Sequence, residues 1–381
     1  MGHFMRAQNR IAYIDGWRAL AMLLVFCDHL GMNREIGAIY AKSPIGVVSE
    51  YGETGVFIFF FISGYVVSLI CLKEIETSGD FCAPAFYARR LFRIVPPLML
   101  YLFVCLSLGA GGVIDFSLDN FFSSAFYLCN STAPFVSCNW YVGHTWSLAF
   151  EEQFYLLFPL VLSFVELRRA PKIIVAASAT LVASIPFVFT IWWIGKTGFF
   201  IAYGLFFAGY AAAKHGERFI VGVRTYGNAA LIVSALIVFL PRSVIASFGD
   251  DERARAELID CYRFLYVAAI PTMVLLSGVA KTPLHDALSS GVLAYLGRAS
   301  YSIYLWQQLC NGPVFNGLGV YAQLGLLSCT VFFCIALFET IERRLIERGR
   351  ALSGRLRLRG RLPRGDATAR LQSATGTPGR C

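Results

Sequence analysis

Long apolar stretches, separated by short polar or charged ones, recur along the 381-residue chain up to about residue 341. A helix needs about 20 mostly apolar residues to cross the hydrocarbon core of a bilayer. The pattern does not show the residue-by-residue alternation of a membrane β-barrel, so it predicts spanning helices. Ten candidate spans lie near residues 11–31, 54–72, 94–111, 147–165, 173–194, 199–213, 226–241, 262–280, 299–315 and 319–341.

The composition supports this pattern. Hydrophobic residues make up 57% of the chain and charged residues only 15%, which excludes an ordinary soluble globular protein. We therefore predict an all-α integral membrane protein, a polytopic bundle of about ten transmembrane helices.

The net charge of +9 is distributed unevenly. When the ten spans are threaded with the N-terminus inside, 25 of the 33 Lys and Arg fall on the cytoplasmic side, 7 fall outside, and Arg18 lies within the first span. This asymmetry follows the positive-inside rule and places both termini in the cytoplasm, as for a multi-pass protein of a bacterial inner membrane. Membrane lipid is thus the expected partner of the positive charge, and nucleic acid is not.

The first span carries ionisable residues that are costly in a bilayer. Arg18 and His29 are eleven residues apart, which puts them on nearly one helical face, about 16 Å apart along the axis, and Asp15 shares that face. Asp28 precedes His29. Such groups usually mark a pathway or a reaction site, although an Asp15–Arg18 ion pair could simply lock helix packing.

Two further segments carry charge next to a predicted span. Arg90 and Arg93 share a helical face at the cytoplasmic start of the third span, where they could anchor the topology or fork a phosphate. Glu151 and Glu152 lie about one turn inside the fourth span, between Trp146 and Tyr155. The cost of burying a carboxylate indicates that one of the two faces the bundle interior.

The ends and loops complete the organisation. Residues 1–342 are predicted to form one transmembrane domain. Residues 343–381 are rich in Arg, Gly and Pro and are predicted to be a disordered cytoplasmic tail that touches anionic lipid. Cys129 and Cys138 share a predicted external loop, where an oxidising compartment could pair them. The spacing of the histidines and cysteines predicts no metal site.

Five segments in this order resemble the acyltransferase-3 family of ten-helix membrane acyltransferases, over about residues 11 to 342. They are IDGWRALAMLLVFCDHL, GVFIFFFISGYVVS, FYARRLFRIVPP, TWSLAFEEQFYLLFPL and SYSIYLWQ. Members of that family modify surface polysaccharides, lipopolysaccharide, nodulation factors and some small molecules. The resemblance implies an O-acyltransferase with acyl-CoA, most simply acetyl-CoA, as donor and no permanently bound cofactor.

The resemblance also implies residue roles. His29 matches the essential histidine of the first span, and Arg18 the arginine before it. Arg90 and Arg93 match the pair taken to engage acyl-CoA, and Arg18 is expected to help bind this donor. Glu151 matches the glutamate of the W-S-L-x-x-E segment. In the ninth span many members have a histidine where this chain has Gln307. The side chains expected to meet the acceptor, a carbohydrate or lipid-linked glycan, are Trp146, Ser147, Tyr155 and Tyr301.

These residues suggest a mechanism and leave alternatives open. Donor and acceptor would enter from opposite sides, with His29 as general base and Asp28 or Glu151 orienting it. His29 could instead be acylated transiently. A different class of protein, a transporter, could use Arg18, His29 and Glu151 as a proton or substrate relay, but the chain shows no internal repeat of the kind many transporters have.

Overall fold

A computed structural model describes residues 2–32, 37–39, 44–167, 195–223, 226–279 and 282–361. All regular secondary structure in these ranges is helical, as the apolar pattern predicts. Short 3₁₀ segments lie at Pro44–Tyr51 and Pro313–Phe315, and a π-helical turn lies at Phe338–Glu342. The α-helices are α1 (Gly2–Gly31), α2 (Gly52–Ser78), α3 (Ala83–Ala110), α4 (Leu118–Ala125), α5 (Trp140–Gly143), α6 (Trp146–Val165), α7 (Gly195–Val223), α8 (Gly227–Val238), α9 (Arg242–Ala246), α10 (Glu252–Arg263), α11 (Tyr266–Ser277), α12 (Pro283–Leu288), α13 (Gly291–Cys310), α14 (Val320–Leu337) and α15 (Arg343–Arg361).

The first helix, α1, lies between α2 and α13. It runs parallel to α13, because Arg18 contacts Ser300 and His29 contacts Gln307. A glycine allows the two backbones to approach closely, since a Cβ atom at Gly297 would overlap the backbone of Asp15. Small residues at helix crossings permit such close packing in membrane proteins. The polar side chains of α1 are thereby held within the bundle.

The other helices pack in pairs around this centre. The α2 helix crosses α7 where Gly64 and Gly209 bring the backbones together. Outside that crossing, α8 pairs with α11, α13 with α14, and α3 with α15. Large buried aromatic side chains, among them Phe60, Phe154 and Phe206, fill the space between α2, α6 and α7.

Four helical segments in the described ranges are long and apolar enough to cross a membrane: Gly46–Ser78, Ala83–Ala110, Trp140–Val165 and Val320–Leu358. A bent pair, Glu252–Arg263 with Tyr266–Ser277, makes a fifth if its two halves count as one span. The structure therefore agrees with an all-α membrane protein, while the number of ten spans and the cytoplasmic position of the termini stay predictions. The predicted fifth span at 173–194 lies outside the described residues.

The segment after residue 342 differs from the predicted disordered tail. Residues 343–361 form α15, in which the positions Ile346, Gly349, Ser353 and Leu356 are buried or partly buried at helical spacing. Gly349 packs against Phe92 of α3. The sequence analysis overlooked this stripe of small and apolar residues because the segment is rich in Arg. Residues 362–381 lie outside the described part of the chain.

Polar contacts reinforce the packing of α15 on α3. Arg357 forms an ion pair with Glu74, whose side chain is only 7% exposed. Arg89 lies 3.5 Å from the same carboxylate and donates a hydrogen bond of 2.5 Å to Ser353 Oγ. This network ties the C-terminal helix α15 to both α2, through Glu74, and α3, through Arg89.

The structure contains the disulfide that the sequence analysis left open. Cys129 and Cys138 are bonded, with their Cα atoms 5.8 Å apart. The bond closes a loop between α4 and α5 that leads directly into Trp140, His144 and Trp146. It therefore constrains the segment that enters α6.

Candidate active site

A cavity lies between α1, α2, α3, α6 and α13, with an empty volume of about 800 Å³ that includes the space open to its surroundings. Its apolar wall comes mainly from α2. The polar wall contains seven of the ten residues predicted as site residues, although they come from four different helices. These seven are Arg18, Arg90, Arg93, Ser147, Glu151, Tyr155 and Tyr301.

Three guanidinium groups give this cavity its positive charge. Arg18 lies 3.7 Å from Asp15 and donates a hydrogen bond of 3.3 Å to Ser300 Oγ. The Arg90 guanidinium lies 4.7 Å from the centre of the Tyr155 ring, a cation–π contact. Arg90 and Arg93 form no ion pair with another described residue. The cavity thus holds positive charge that the described chain leaves largely unbalanced.

Glu151 is the single carboxylate on the described wall. It accepts a hydrogen bond of 2.5 Å from Ser63 Oγ and another from the Tyr155 hydroxyl. Ser63, which is not among the residues predicted for the site, is therefore part of the polar wall. Because Tyr155 also contacts Arg90, the carboxylate, the phenol and the guanidinium form one continuous group.

One end of the cavity is closed by Ser147 and Tyr304. Their side-chain oxygens lie 2.6 Å apart, and the Tyr304 hydroxyl also donates to the backbone oxygen of His144. Tyr301, one helical turn earlier, donates to the backbone oxygen of Ile94 at 2.8 Å. Trp146, in contrast, does not line the cavity and packs its ring against Phe60 and Phe150.

His29 lies beyond this closed end rather than on the cavity wall. Its ring contacts Trp140 edge-on at 5.9 Å between ring centres. Its Nδ1 atom lies 3.1 Å from Gln307 Oε1 and 2.7 Å from Gln307 Nε2. Gln307 is one helical turn from Tyr304, so α13 connects the closed end of the cavity to His29.

The expectation that Asp28 or Glu151 orients His29 does not match the contacts. Glu151 bonds to Ser63 and Tyr155, and the Asp28 side chain lies against Gly52 at the start of α2. Consecutive helical residues point about 100° apart, so Asp28 faces away when His29 faces α13. The amide of Gln307 takes the position next to the imidazole instead.

His144 belongs to this region although the sequence gives no sign of it. It is 4% exposed and lies between the rings of Tyr101 and Tyr304. Neither ring nitrogen has a hydrogen-bond partner among the described residues. His29 and His144 are 115 positions apart in the chain. Both contact α13, His29 through Gln307 and His144 through Tyr304, so the packing of this helix brings them into one region.

The chain matches a known protein family over most of its length. The acyltransferase-3 family model, described as an acyltransferase domain, matches residues 11–339. The chain belongs to the acyltransferase-3 family. The match includes every residue that lines the cavity, together with His29, His144 and Gln307.

The chain is similar to several proteins that are named as O-acetyltransferases. A protein of Staphylococcus aureus strain COL, named "Putative O-acetyltransferase", is 25% identical over 370 residues, which cover 86% of this chain and 56% of that protein. O-acetyltransferase OatA of S. aureus strain NCTC 8325 is 29% identical over 181 residues, which cover 42% of this chain and 26% of OatA. The chain thus spans about half the length of the first of these relatives. No solved structure matches.

Proposed function

We propose that this acyltransferase-3 protein transfers an acyl group, acetyl in the simplest case, from cytoplasmic acyl-CoA to a hydroxyl of a carbohydrate or lipid-linked glycan. The protein would lie in the inner membrane of a bacterium. The observation that carries this proposal is the cavity, in which Arg18, Arg90 and Arg93 face a single carboxylate.

The charge of the cavity fits the charge of the donor. CoA carries a pyrophosphate and a 3′-phosphate, and planar guanidinium groups bind phosphate oxygens in pairs of hydrogen bonds. Arg90 and Arg93 have no described carboxylate partner to lose when a phosphate arrives. Ligand binding would therefore relieve repulsion between neighbouring cations instead of breaking ion pairs.

The dimensions fit an extended donor. Arg90 and Arg93 lie at the start of α3, whereas Ser147 and Tyr304 close the cavity next to the residues that hold His29. Along α1 the step from Arg18 to His29 is about 16 Å, comparable to the reach of a pantetheine arm. The thioester would then arrive at the Ser147–Tyr304 end, and separation of these two side chains would admit it to His29.

His29 would act as the general base. The acceptor oxygen attacks the thioester carbonyl carbon while its proton passes to His29. General-base catalysis of this kind typically raises the reaction rate by about 10²–10⁴-fold. The carbon–sulfur bond then breaks, and the proton moves from His29 to the departing thiolate. Ser147, Tyr155 and Tyr301 would present hydroxyl groups to the acyl group or the acceptor. Trp146 would support this wall from behind.

The test is a direct assay of the purified full chain in lipid nanodiscs. Acetyl-CoA labelled in its acetyl group is supplied with a glycan fraction extracted from membranes, and both free CoA thiol and labelled glycan are measured. Equal amounts of the two products support the enzyme. CoA binding without either product, at every acceptor concentration, would contradict acyl transfer and favour a transport relay through Arg18, His29 and Glu151.

A further inference from the structure

The side-chain amide of Gln307 makes specific polar contacts that a residue serving only to pack the helices would not need. Its side chain is completely buried, at 0% exposure. The oxygen Oε1 lies 3.1 Å from His29 Nδ1 and accepts a hydrogen bond of 3.1 Å from Asn311 Nδ2. The nitrogen Nε2 makes only long contacts of 3.5 Å to the Tyr304 backbone oxygen and to Gln308 Oε1, apart from its 2.7 Å approach to His29 Nδ1.

These contacts admit two tautomers of His29. An amide offers either an acceptor oxygen or a donor nitrogen, and both atoms of Gln307 lie within hydrogen-bonding distance of the same ring nitrogen. If Nδ1 carries the proton, it donates to Oε1 and leaves Nε2 of the ring as the free acceptor. If Nδ1 instead accepts from the amide nitrogen of Gln307, the ring proton lies on Nε2 of His29. That ring nitrogen can then only donate a hydrogen bond, and the neutral ring has no free acceptor.

Only the first tautomer serves a general base. The ring must have an unprotonated nitrogen facing the acceptor, and after it takes a proton both ring nitrogens carry hydrogen. Nδ1–H therefore needs an acceptor before and after proton transfer. Asn311 favours this state, because its donated hydrogen bond holds Oε1 of Gln307 beside the ring.

We propose that Gln307, held by Asn311, is a positioning residue that keeps the proton on Nδ1 of His29 and so makes Nε2 of the ring the base. This inference rests on the proposed acyl transfer and adds to it which nitrogen reacts and what fixes it. During the reaction the acceptor's proton goes to Nε2 and then to the CoA sulfur as the carbon–sulfur bond breaks. The Nδ1–H bond to Gln307 is kept throughout.

The proposal predicts opposite results for two substitutions of similar size. Gln307→Glu supplies acceptor oxygens only, which can pair with Nδ1–H but cannot donate to Nδ1. It should keep kcat within about threefold of wild type, since the amide hydrogens it removes make long contacts. Gln307→Met fills the space without hydrogen bonding and should lower kcat by about 10- to 100-fold, the usual effect of losing such an orienting partner. The KM for acetyl-CoA should change little in both.

Gln323→Met is the matched control. Gln323 is also completely buried, and it bonds to the Cys310 backbone oxygen rather than to His29. Its replacement should leave kcat at the wild-type value. Asn311→Ala should lower kcat by a few-fold, less than Gln307→Met, because it only frees the amide that Asn311 orients. Size-exclusion profiles in detergent check the folding of each variant.

Acetyl transfer from labelled acetyl-CoA is measured first with wild-type protein in nanodiscs. An inactive wild-type protein would contradict the proposed acyl transfer, and the positioning role of Gln307 would fall with it. With an active wild type, a Gln307→Glu protein that elutes normally but is as inactive as Gln307→Met would overturn it. That result would mean that the amide donates to Nδ1 and that His29 works as a hydrogen-bond donor. Full activity of Gln307→Met would equally refute a positioning role.

Discussion

Replacement of Arg93 by Gln should weaken CoA binding without weakening the fold. Arg93 lines the cavity together with Arg18 and Arg90 and forms no ion pair with another described residue. A hydrogen bond to a charged group contributes about 1.5–3 kcal/mol, and each 1.4 kcal/mol is tenfold in affinity. The loss of one phosphate contact should therefore raise the Kd for CoA about 10- to 100-fold.

The neighbouring Arg89 supplies the matched control. It also carries a guanidinium on α3, but it contacts Glu74 at 3.5 Å and Ser353 at 2.5 Å and does not line the cavity. Removing it should leave CoA affinity unchanged and lower the Tm, because a buried polar network loses one member, at a cost of about 1–3 kcal/mol. Arg93→Gln should show a Tm equal to wild type or higher.

The assay combines two measurements on purified protein in nanodiscs. Isothermal titration with CoA gives Kd directly, which avoids the ambiguity of KM when chemistry is not slow. Thermal unfolding followed by size-exclusion chromatography gives Tm. Wild-type CoA affinity in Arg93→Gln, or an equal loss of affinity in Arg89→Gln, would contradict a phosphate contact by Arg93.

Two further outcomes test the topology and the C-terminal helix. In a background without the exposed Cys261 and Cys329, Asp119→Cys should react with an impermeant maleimide on whole cells and Asp286→Cys should not. The reason is the charge asymmetry, since the loop 73–93 holds four Lys and Arg and the segment 112–146 holds none. Cys129 and Cys138 should react only after reduction, and labelling of the two introduced cysteines in the opposite sense would remove the cytoplasmic route for the donor. Gly349→Leu should lower the Tm, because a Cβ at position 349 lies 2.8 Å from Phe92 Cβ and would push α15 away from α3. Gly354→Leu, at an open position of the same helix, should leave the Tm unchanged. Equal Tm values for the two variants would show that α15 does not stabilise the bundle.

The sequence predicts much of the cavity because charge in an apolar helix is costly. Arg18, Arg90, Arg93 and Glu151 are each conspicuous for that reason, and the structure places all four around one space. Ser63 is less visible, since a hydroxyl in a helix can bond to its own backbone and needs no partner elsewhere. Only the packing of α2 against α6 shows that it bonds to Glu151.

The surroundings of His29 depend on contacts that spacing along the chain does not encode. Gln307 lies 278 positions away, and the sequence presents it only as the place where a histidine is common in the family. Asp28, adjacent in sequence, is turned away by the helical geometry. The helix at 343–361 was not predicted for a different reason. The prediction gave the Arg content of this segment more weight than its apolar and small residues, which recur every three to four positions.

The central claim is that acetyl groups pass from a cytoplasmic donor through the arginine-lined cavity to an acceptor on the other side, with His29 as the base. Right-side-out membrane vesicles with labelled acetyl-CoA trapped inside test it most directly, with label measured in glycan supplied outside. Wild-type vesicles should label the outer glycan, and His29→Ala vesicles with the same protein content should not. Labelling only when acetyl-CoA is added outside, or retention of more than about a tenth of the transfer by His29→Ala, would contradict the account.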